Sequence, residues 1–148
     1  MPSKTIRNTL IGLEAFVVLM AIYGGIAMLI DAAGFGLKPA WLHDSPFSNY
    51  QIPAVALLVL VGGSSFLAIL ALFRGQVSWG AIASIVAGVI LIAFEIVETY
   101  AIGVRNFQQP LMFVIGLVIA GLGLVLMYLG MRERAAPRRG LERHRRSA

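Results

Sequence analysis

The chain has no cysteine, few charged residues and only two histidines, and each scarcity removes a class of chemistry. Without cysteine there are no disulfides, no thiolate nucleophile and no cysteine-ligated metal or iron–sulfur cluster. His43 and His144 lie far apart in the sequence, and neither GxSxG nor HExxH occurs. A hydrolase triad, a bis-histidine haem site and a zinc protease site are therefore not predicted. We expect no enzymatic activity, no cofactor and no metal site.

Apolar residues dominate what is present. They make up 59% of the 148 residues, charged residues make up 13%, and the mean hydropathy is +0.85. Such a composition is typical of integral membrane proteins, in which a helix needs about 20 apolar residues for each crossing of the bilayer. The sequence predicts an all-α, membrane-embedded four-helix bundle formed by residues 1–131. Its predicted spans are 10–33, 52–73, 79–102 and 110–131.

The basic residues are distributed unevenly between the connections. The N-terminus, the short link between the second and third spans, and residues 132–148 carry all of them except Lys38 and Arg105. Positively charged short segments remain on the cytoplasmic side of a membrane. We therefore predict a multi-pass protein of the cell membrane with both termini cytoplasmic and with residues 34–51 forming a longer outer loop.

Residues 132–148 account for the whole net charge of the chain. Seven arginines and two glutamates give this segment +5, and the full chain also carries +5. The segment has almost no large apolar residue, so we expect a disordered basic tail. Anionic lipid headgroups are its predicted partner, with about 1 kcal/mol for each basic residue near the surface. No aromatic interleaving accompanies the charge, and nucleic-acid binding is not predicted.

Small residues recur at helical spacing on the third and fourth spans. Such stripes allow helices to approach closely within a bilayer, where no hydrophobic effect drives them together. The predicted packing positions are Gly80, Ser84 and Gly88 on the third span and Gly116, Ala120 and Gly123 on the fourth.

Glu95 and Glu98 are the residues that most strongly suggest a function. They lie within the third apolar run and, three positions apart, they share one face of its helix. Ionisable residues in a membrane span are costly and are functional candidates by default. Together with Asp31, they form the candidate proton- or cation-binding site. Arg105, His43 and Asp44 are possible partners at the outer end of the bundle.

Two structural alternatives apply to the acidic residues of the spans. Glu95 and Glu98 could instead accept hydrogen bonds from Thr99, Tyr100 or Arg105 and thereby fix the register of the bundle. Glu14 lies near the predicted cytoplasmic end of the first span, so we expect its side chain to reach water or to pair with Lys4 or Arg7.

Three segments carry a resemblance to a known group of proteins. Residues 24–31, 45–53 and 108–117 contain the local motifs GG, SPF, YQIP and QQP. In these segments the chain resembles a group of small uncharacterised bacterial four-helix membrane proteins. The resemblance implies a four-span topology and brings no assigned activity.

Two functions are compatible with these features. The first is an accessory or interaction subunit of a membrane complex, with another membrane protein or a second copy of the chain as partner. The second is an oligomeric proton- or cation-handling transporter or channel that uses the carboxylate pair. Spans one and two do not visibly repeat as spans three and four, and repeats are common in transporters. The first function is therefore the prediction from sequence.

Overall fold

The structure is a computed structural model that describes residues 2–34, 36–43, 45–75 and 77–135. Helix α1 spans Pro2–Asp31 and is followed by a short 3-10 helix at Pro39–Leu42. The next span is one continuous rod in three parts, namely α2 (Gln51–Ala56), a π-helical segment (Leu57–Gly62) and α3 (Gly63–Phe73). Helices α4 (Val77–Ile102) and α5 (Gln108–Ala135) complete the fold. The described residues contain no strand, and the predicted all-α class is confirmed.

Four helical rods are long and apolar enough to cross a bilayer, as predicted. They cover Ser3–Asp31, Gln51–Phe73, Val77–Ile102 and Gln108–Glu133. Their outer faces expose large apolar side chains, as a lipid-facing surface requires. Helix α5 continues to Ala135, so the first residues of the predicted tail are helical, whereas residues 136–148 lie outside the described residues.

The helices form a ring in which each rod is antiparallel to both of its neighbours. Helix α1 packs against the α2–α3 rod and against α5, and α4 packs against α3 and α5. The hydroxyl of Ser3 donates a hydrogen bond to Glu133 Oε1 at 3.3 Å, which places the start of α1 beside the last turns of α5. We call this the terminal end of the bundle. The opposite end, which contains the connections α1–α2 and α4–α5, is the loop end.

Helices α4 and α5 approach each other through glycine. A β-carbon built on Gly88 would lie 2.7 Å from both the Gly116 carbonyl oxygen and the Ala120 amide nitrogen. A β-carbon on Gly123 would lie 3.1 Å from the Ala81 carbonyl oxygen. These contacts are with backbone, so the two helices could not keep this separation with larger residues at either glycine.

The small residues on α4 do not all contact the same helix. Gly80 packs against Leu72 of α3, where a β-carbon would meet the Leu72 side chain at 2.7 Å. Ser84 is fully buried in the interior beside Glu14 of α1. Gly88 packs against α5, at Gly116 and Ala120. The stripe therefore contacts three neighbouring helices. A helix has about 3.6 residues per turn, so residues four positions apart are displaced a little further around the helix axis at each step.

The loop end is covered by the connection between α1 and α2. Leu42, Tyr50 and Ile102 form a buried apolar cluster there. The Tyr50 hydroxyl donates a hydrogen bond of 2.9 Å to the Lys38 carbonyl and thereby ties the two sides of the loop together. Burial raises the pKa of Tyr50, the nearby Glu98 carboxylate raises it further, and Arg105 opposes both effects.

Candidate functional site

A cavity of about 240 Å³ lies between α1, the π segment, α4 and α5, and it extends towards the loop end. Its floor, on the side of the terminal end, is formed by Val17, Val61 and Leu91. The residues with polar side chains that line it are Tyr23, Glu95, Glu98, Asn106, Gln108 and Gln109. The volume is large enough for several water molecules, each of which occupies about 30 Å³ in the liquid.

Both predicted carboxylates line this cavity from one turn of α4. Glu95 is 6% exposed, and its Oε2 atom has no hydrogen-bond partner among the described residues. Glu98 lies one turn closer to the loop end and accepts a hydrogen bond from Gln109 Nε2 at 3.3 Å. The pair predicted from the sequence therefore lies together in a polar part of the bundle interior.

Gln109 holds the polar side of the cavity in place. Its side chain is 4% exposed. Its Nε2 donates to Glu98 and also to the Gly103 carbonyl at 3.2 Å, and its Oε1 accepts from the Arg105 amide at 2.7 Å. One amide thus links the carboxylate on α4 to the backbone of the α4–α5 connection, and it fixes the position of Glu98.

Asn106 sets the start of α5 and hence the position of Gln109. Its Oδ1 accepts hydrogen bonds from the amides of Gln108 at 3.0 Å and Gln109 at 3.3 Å, which is the bonding of an N-cap residue. The preceding helix ends at Ile102 and is followed by Gly103, whose φ of 74° is a left-handed conformation typical of glycine after a helix. The α4–α5 connection is therefore built from two helix caps.

The cap can be tested by replacing Asn106 with alanine. We expect this change to lower the free energy of unfolding by about 1 kcal/mol, because two amides of the first turn lose their acceptor. Asn106→Asp keeps an acceptor at the N-terminus of α5 and is expected to retain most of the stability. Denaturant-induced unfolding in detergent micelles measures both variants, and equal losses in both would contradict the capping role.

A second cavity of about 320 Å³ lies on the other side of Glu98, beneath the α1–α2 connection. Its walls are almost entirely apolar and include Leu42, Phe47, Pro53 and Ile102. Glu98 borders both cavities, whereas Glu95 borders only the first of the two. Glu95 lines the first cavity and also borders an open groove between α4 and α5, whereas Glu98 lies between the first cavity and the apolar second cavity.

The other predicted site residues lie apart from the carboxylate pair. Asp31 is exposed at the end of α1, where its Oδ1 accepts a hydrogen bond of 2.8 Å from the Gly34 amide. The Arg105 guanidinium donates to the Ile102 carbonyl and lies 5.1 Å from the centre of the Trp41 ring, so it pairs with neither carboxylate. His43 is exposed beside the 3-10 helix. Asp44 lies outside the described residues.

The expectation for Glu14 is wrong. Its side chain is 0% exposed, and its polar neighbours are Ser65 and Ser84 rather than Lys4 or Arg7. The reason is that α1 begins at Pro2, eight residues before the predicted span, so Glu14 lies more than three turns inside the helix.

Sequence reasoning missed Gln109 and the π segment. Asn106 followed three positions later by Gln109 is a capping-box-like spacing, and this signal would have placed Gln109 at the start of α5. The π segment lies in a uniformly apolar run, LLVLVG, which carries no such signal. Leu57 and Val61 of this segment line the cavity, and π turns are frequent at functional sites.

Comparisons with known proteins give no further guide to the site. No family model, no curated protein and no solved structure matches the chain.

Proposed function

We propose that the protein binds a proton or a small monovalent cation in the cavity lined by Glu95 and Glu98, as a small ion-handling transporter or channel that acts as an oligomer. The observation that carries this proposal is that two carboxylates one turn apart line the same cavity. An isolated chain of four helices encloses little space, and an oligomer would extend the polar path. We expect no enzymatic activity.

The charge of the cavity supports a cationic ligand. Among the described residues that line it there is no lysine or arginine to neutralise the carboxylates. Buried charges in proteins are paired, or they give up their charge by taking a proton. Either a proton or a bound cation would meet this requirement at Glu95, whose Oε2 has no partner in the described part of the chain.

The donor set favours a proton or a monovalent cation over a divalent metal ion. Among the described residues, no group of three or more histidine, cysteine, aspartate or glutamate side chains could hold a metal ion. Calcium and magnesium take six or more oxygen ligands, and sites for them draw on several carboxylates. Two carboxylates and a few side-chain amides fit a singly charged ligand that keeps part of its hydration.

We further propose the orientation in which the loop end faces outwards and both termini are cytoplasmic in the cell membrane. This orientation rests on the distribution of lysine and arginine. It would open the cavity towards the outer surface and place residues 132–148 against anionic lipid headgroups.

The proposal predicts that flux depends on the carboxylate pair. Purified protein in liposomes is expected to conduct protons or alkali cations, measured with an internal pH dye or by isotope uptake. The double variant Glu95→Gln, Glu98→Gln should lose most of this flux, because neutral amides of the same size cannot bind a cation in the same way. Asp31→Asn is the matched control, since Asp31 is an acid at the same end of the bundle but outside the cavity.

Equal flux in the native protein and the double variant would contradict the proposal. Absence of flux in a folded native protein would also contradict it and would favour the second candidate, an accessory or interaction subunit of a membrane complex. The observation in favour of that candidate is an open groove between α4 and α5, beside which Tyr100 is 88% exposed. Against it, the glycines at positions 88, 116 and 123 already contact residues within the bundle.

A further inference from the structure

Three polar side chains from three different helices meet in the interior near the terminal end. Glu14 of α1 is 0% exposed, Ser84 of α4 is 0% exposed and Ser65 of α3 is 1% exposed. Val17 and Val61 form part of the cavity floor. Glu14 lies one helical turn from Val17, and Ser65 lies one turn from Val61, in each case towards the terminal end. The cluster is therefore separated from the Glu95–Glu98 cavity by a layer of apolar side chains.

The carboxyl group of Glu14 is buried without the hydrogen bonds that a carboxylate needs. Neither of its oxygens, nor the hydroxyl oxygen of Ser84, has a hydrogen-bond partner among the described residues. The hydroxyls of Ser65 and Ser84 are nevertheless its polar neighbours. This differs from Glu98, which accepts a hydrogen bond from a buried amide.

No charged group compensates Glu14 from the elements packed around it. On α1 itself, Arg7 lies two turns towards the terminal end, and its Nε atom is buried without a partner of its own. The facing groups from α3 and α4 are the two serines. The buried residues of α5 in this half of the bundle, from Gly116 to Gly130, are glycine, isoleucine or leucine. Among the described residues, an ionised Glu14 would thus be a buried charge without a counter-charge.

A neutral carboxylic acid fits these surroundings. A protonated carboxyl group gains one O–H donor, and a serine hydroxyl oxygen can accept it while donating its own hydrogen to the second carboxyl oxygen. A metal cation fits less well, because hard cations take about six oxygen ligands. The cluster offers one carboxyl group and two hydroxyls, and helix carbonyls around it are engaged in helical hydrogen bonds.

We propose that Glu14, Ser65 and Ser84 form an inner proton-binding site of the bundle, separate from the cavity. Glu14 carries the proton, and the two serines accept from and donate to the acid group. This site does not depend on the function proposed for Glu95 and Glu98. An apolar layer separates the Glu14 cluster from the cavity, and each of the two sites has its own polar residues.

Infrared spectroscopy of the protein in liposomes tests this site directly. A protonated carboxyl group absorbs in a carbonyl region that is separate from that of carboxylates and amides. We expect such a band in the native protein at neutral pH and the loss of the Glu14 component of that band in Glu14→Gln, which replaces the acid by a neutral group of the same shape. The Glu95→Gln, Glu98→Gln variant should keep the Glu14 contribution, so the result is independent of the cavity. A carboxylic-acid band that is unchanged in Glu14→Gln would overturn the proposal.

The serines provide a second test if Glu14→Gln fails to fold. Removing either hydroxyl in Ser84→Ala or Ser65→Ala changes the hydrogen bonding of the acid group, and we expect the band to shift in frequency. Ser64→Ala is the matched control. The Ser64 hydroxyl donates a hydrogen bond of 3.2 Å to the Val61 carbonyl, so its hydrogen bond stays within its own helical rod. A band that does not shift in either serine variant, or that shifts equally in the control, would overturn the assignment.

Discussion

Replacing Gly88 with leucine is expected to destabilise the bundle by about 3 kcal/mol, since overpacking of a close contact forces neighbouring groups apart. The first added carbon would already lie 2.7 Å from two backbone atoms of α5, the Gly116 oxygen and the Ala120 nitrogen. Backbone cannot rotate away as a side chain can, so the whole α4–α5 pair would have to separate. Unfolding of the purified protein by denaturant in detergent micelles measures the loss.

Gly121→Leu is the control for this change. Gly121 lies on the exposed face of α5, and a β-carbon built on it meets no atom within 4 Å. The substitution is of the same type and lies in a neighbouring helix, yet we expect an effect within about 0.5 kcal/mol, as for other exposed positions. Similar losses for the two leucine variants would show that close backbone packing is not what holds α4 and α5 together.

Replacing Gln109 with leucine is expected to have the second largest effect. Leucine has a similar size but no polar atoms, so the Arg105 amide and the Gly103 carbonyl lose their partner and Glu98 loses its amide donor. Leaving a buried polar group unpaired costs about 1–3 kcal/mol, and these three hydrogen bonds are partly buried. We expect a total loss of about 3 kcal/mol. If the protein conducts cations as proposed, flux should also fall, because Glu98 is no longer held beside the cavity.

The neighbouring Gln108 offers a matched comparison for the stability measurement. Its side chain is exposed, and its backbone amide keeps the hydrogen bond to Asn106 after substitution. Gln108→Leu should therefore unfold at nearly the native denaturant concentration. If Gln109→Leu proved equally stable, the hydrogen bonds of this amide would not contribute measurably to the fold.

The sequence is informative about the four spans and about Glu95 and Glu98 for the same physical reason. Apolar runs of sufficient length have few alternatives to membrane helices, and a charge inside such a run stands out against it. The spacing of three between the two glutamates then places them on one face whatever the neighbouring helices are. Their shared location therefore followed from local rules.

The partners of these residues did not follow from local rules. Which helix each small residue on α4 contacts depends on rotation and tilt, and these are decided by the neighbouring helices. Glu14 was misplaced because the sequence pattern of Lys4 and Arg7 resembles a flank outside the membrane, whereas the helix continues through both residues. The π segment changes the number of residues per turn, and a uniformly apolar sequence does not record that change.

The nature of the glycine contacts makes the two halves of the bundle mechanically unequal. Between α4 and α5 the close contacts include backbone atoms, whereas Gly24 and Gly25 of α1 meet the Leu57 and Leu58 side chains of the π segment. A leucine side chain can change its rotamer, whereas a backbone carbonyl oxygen of a helix is fixed in position by the helix. The α4–α5 pair is thus the stiff half, and the contact of Gly24 and Gly25 with the π segment is the more compliant part of the cavity wall. If the cavity binds a cation as proposed, we expect the ligand to enter by displacing this part of the wall, with little change on the α4–α5 side.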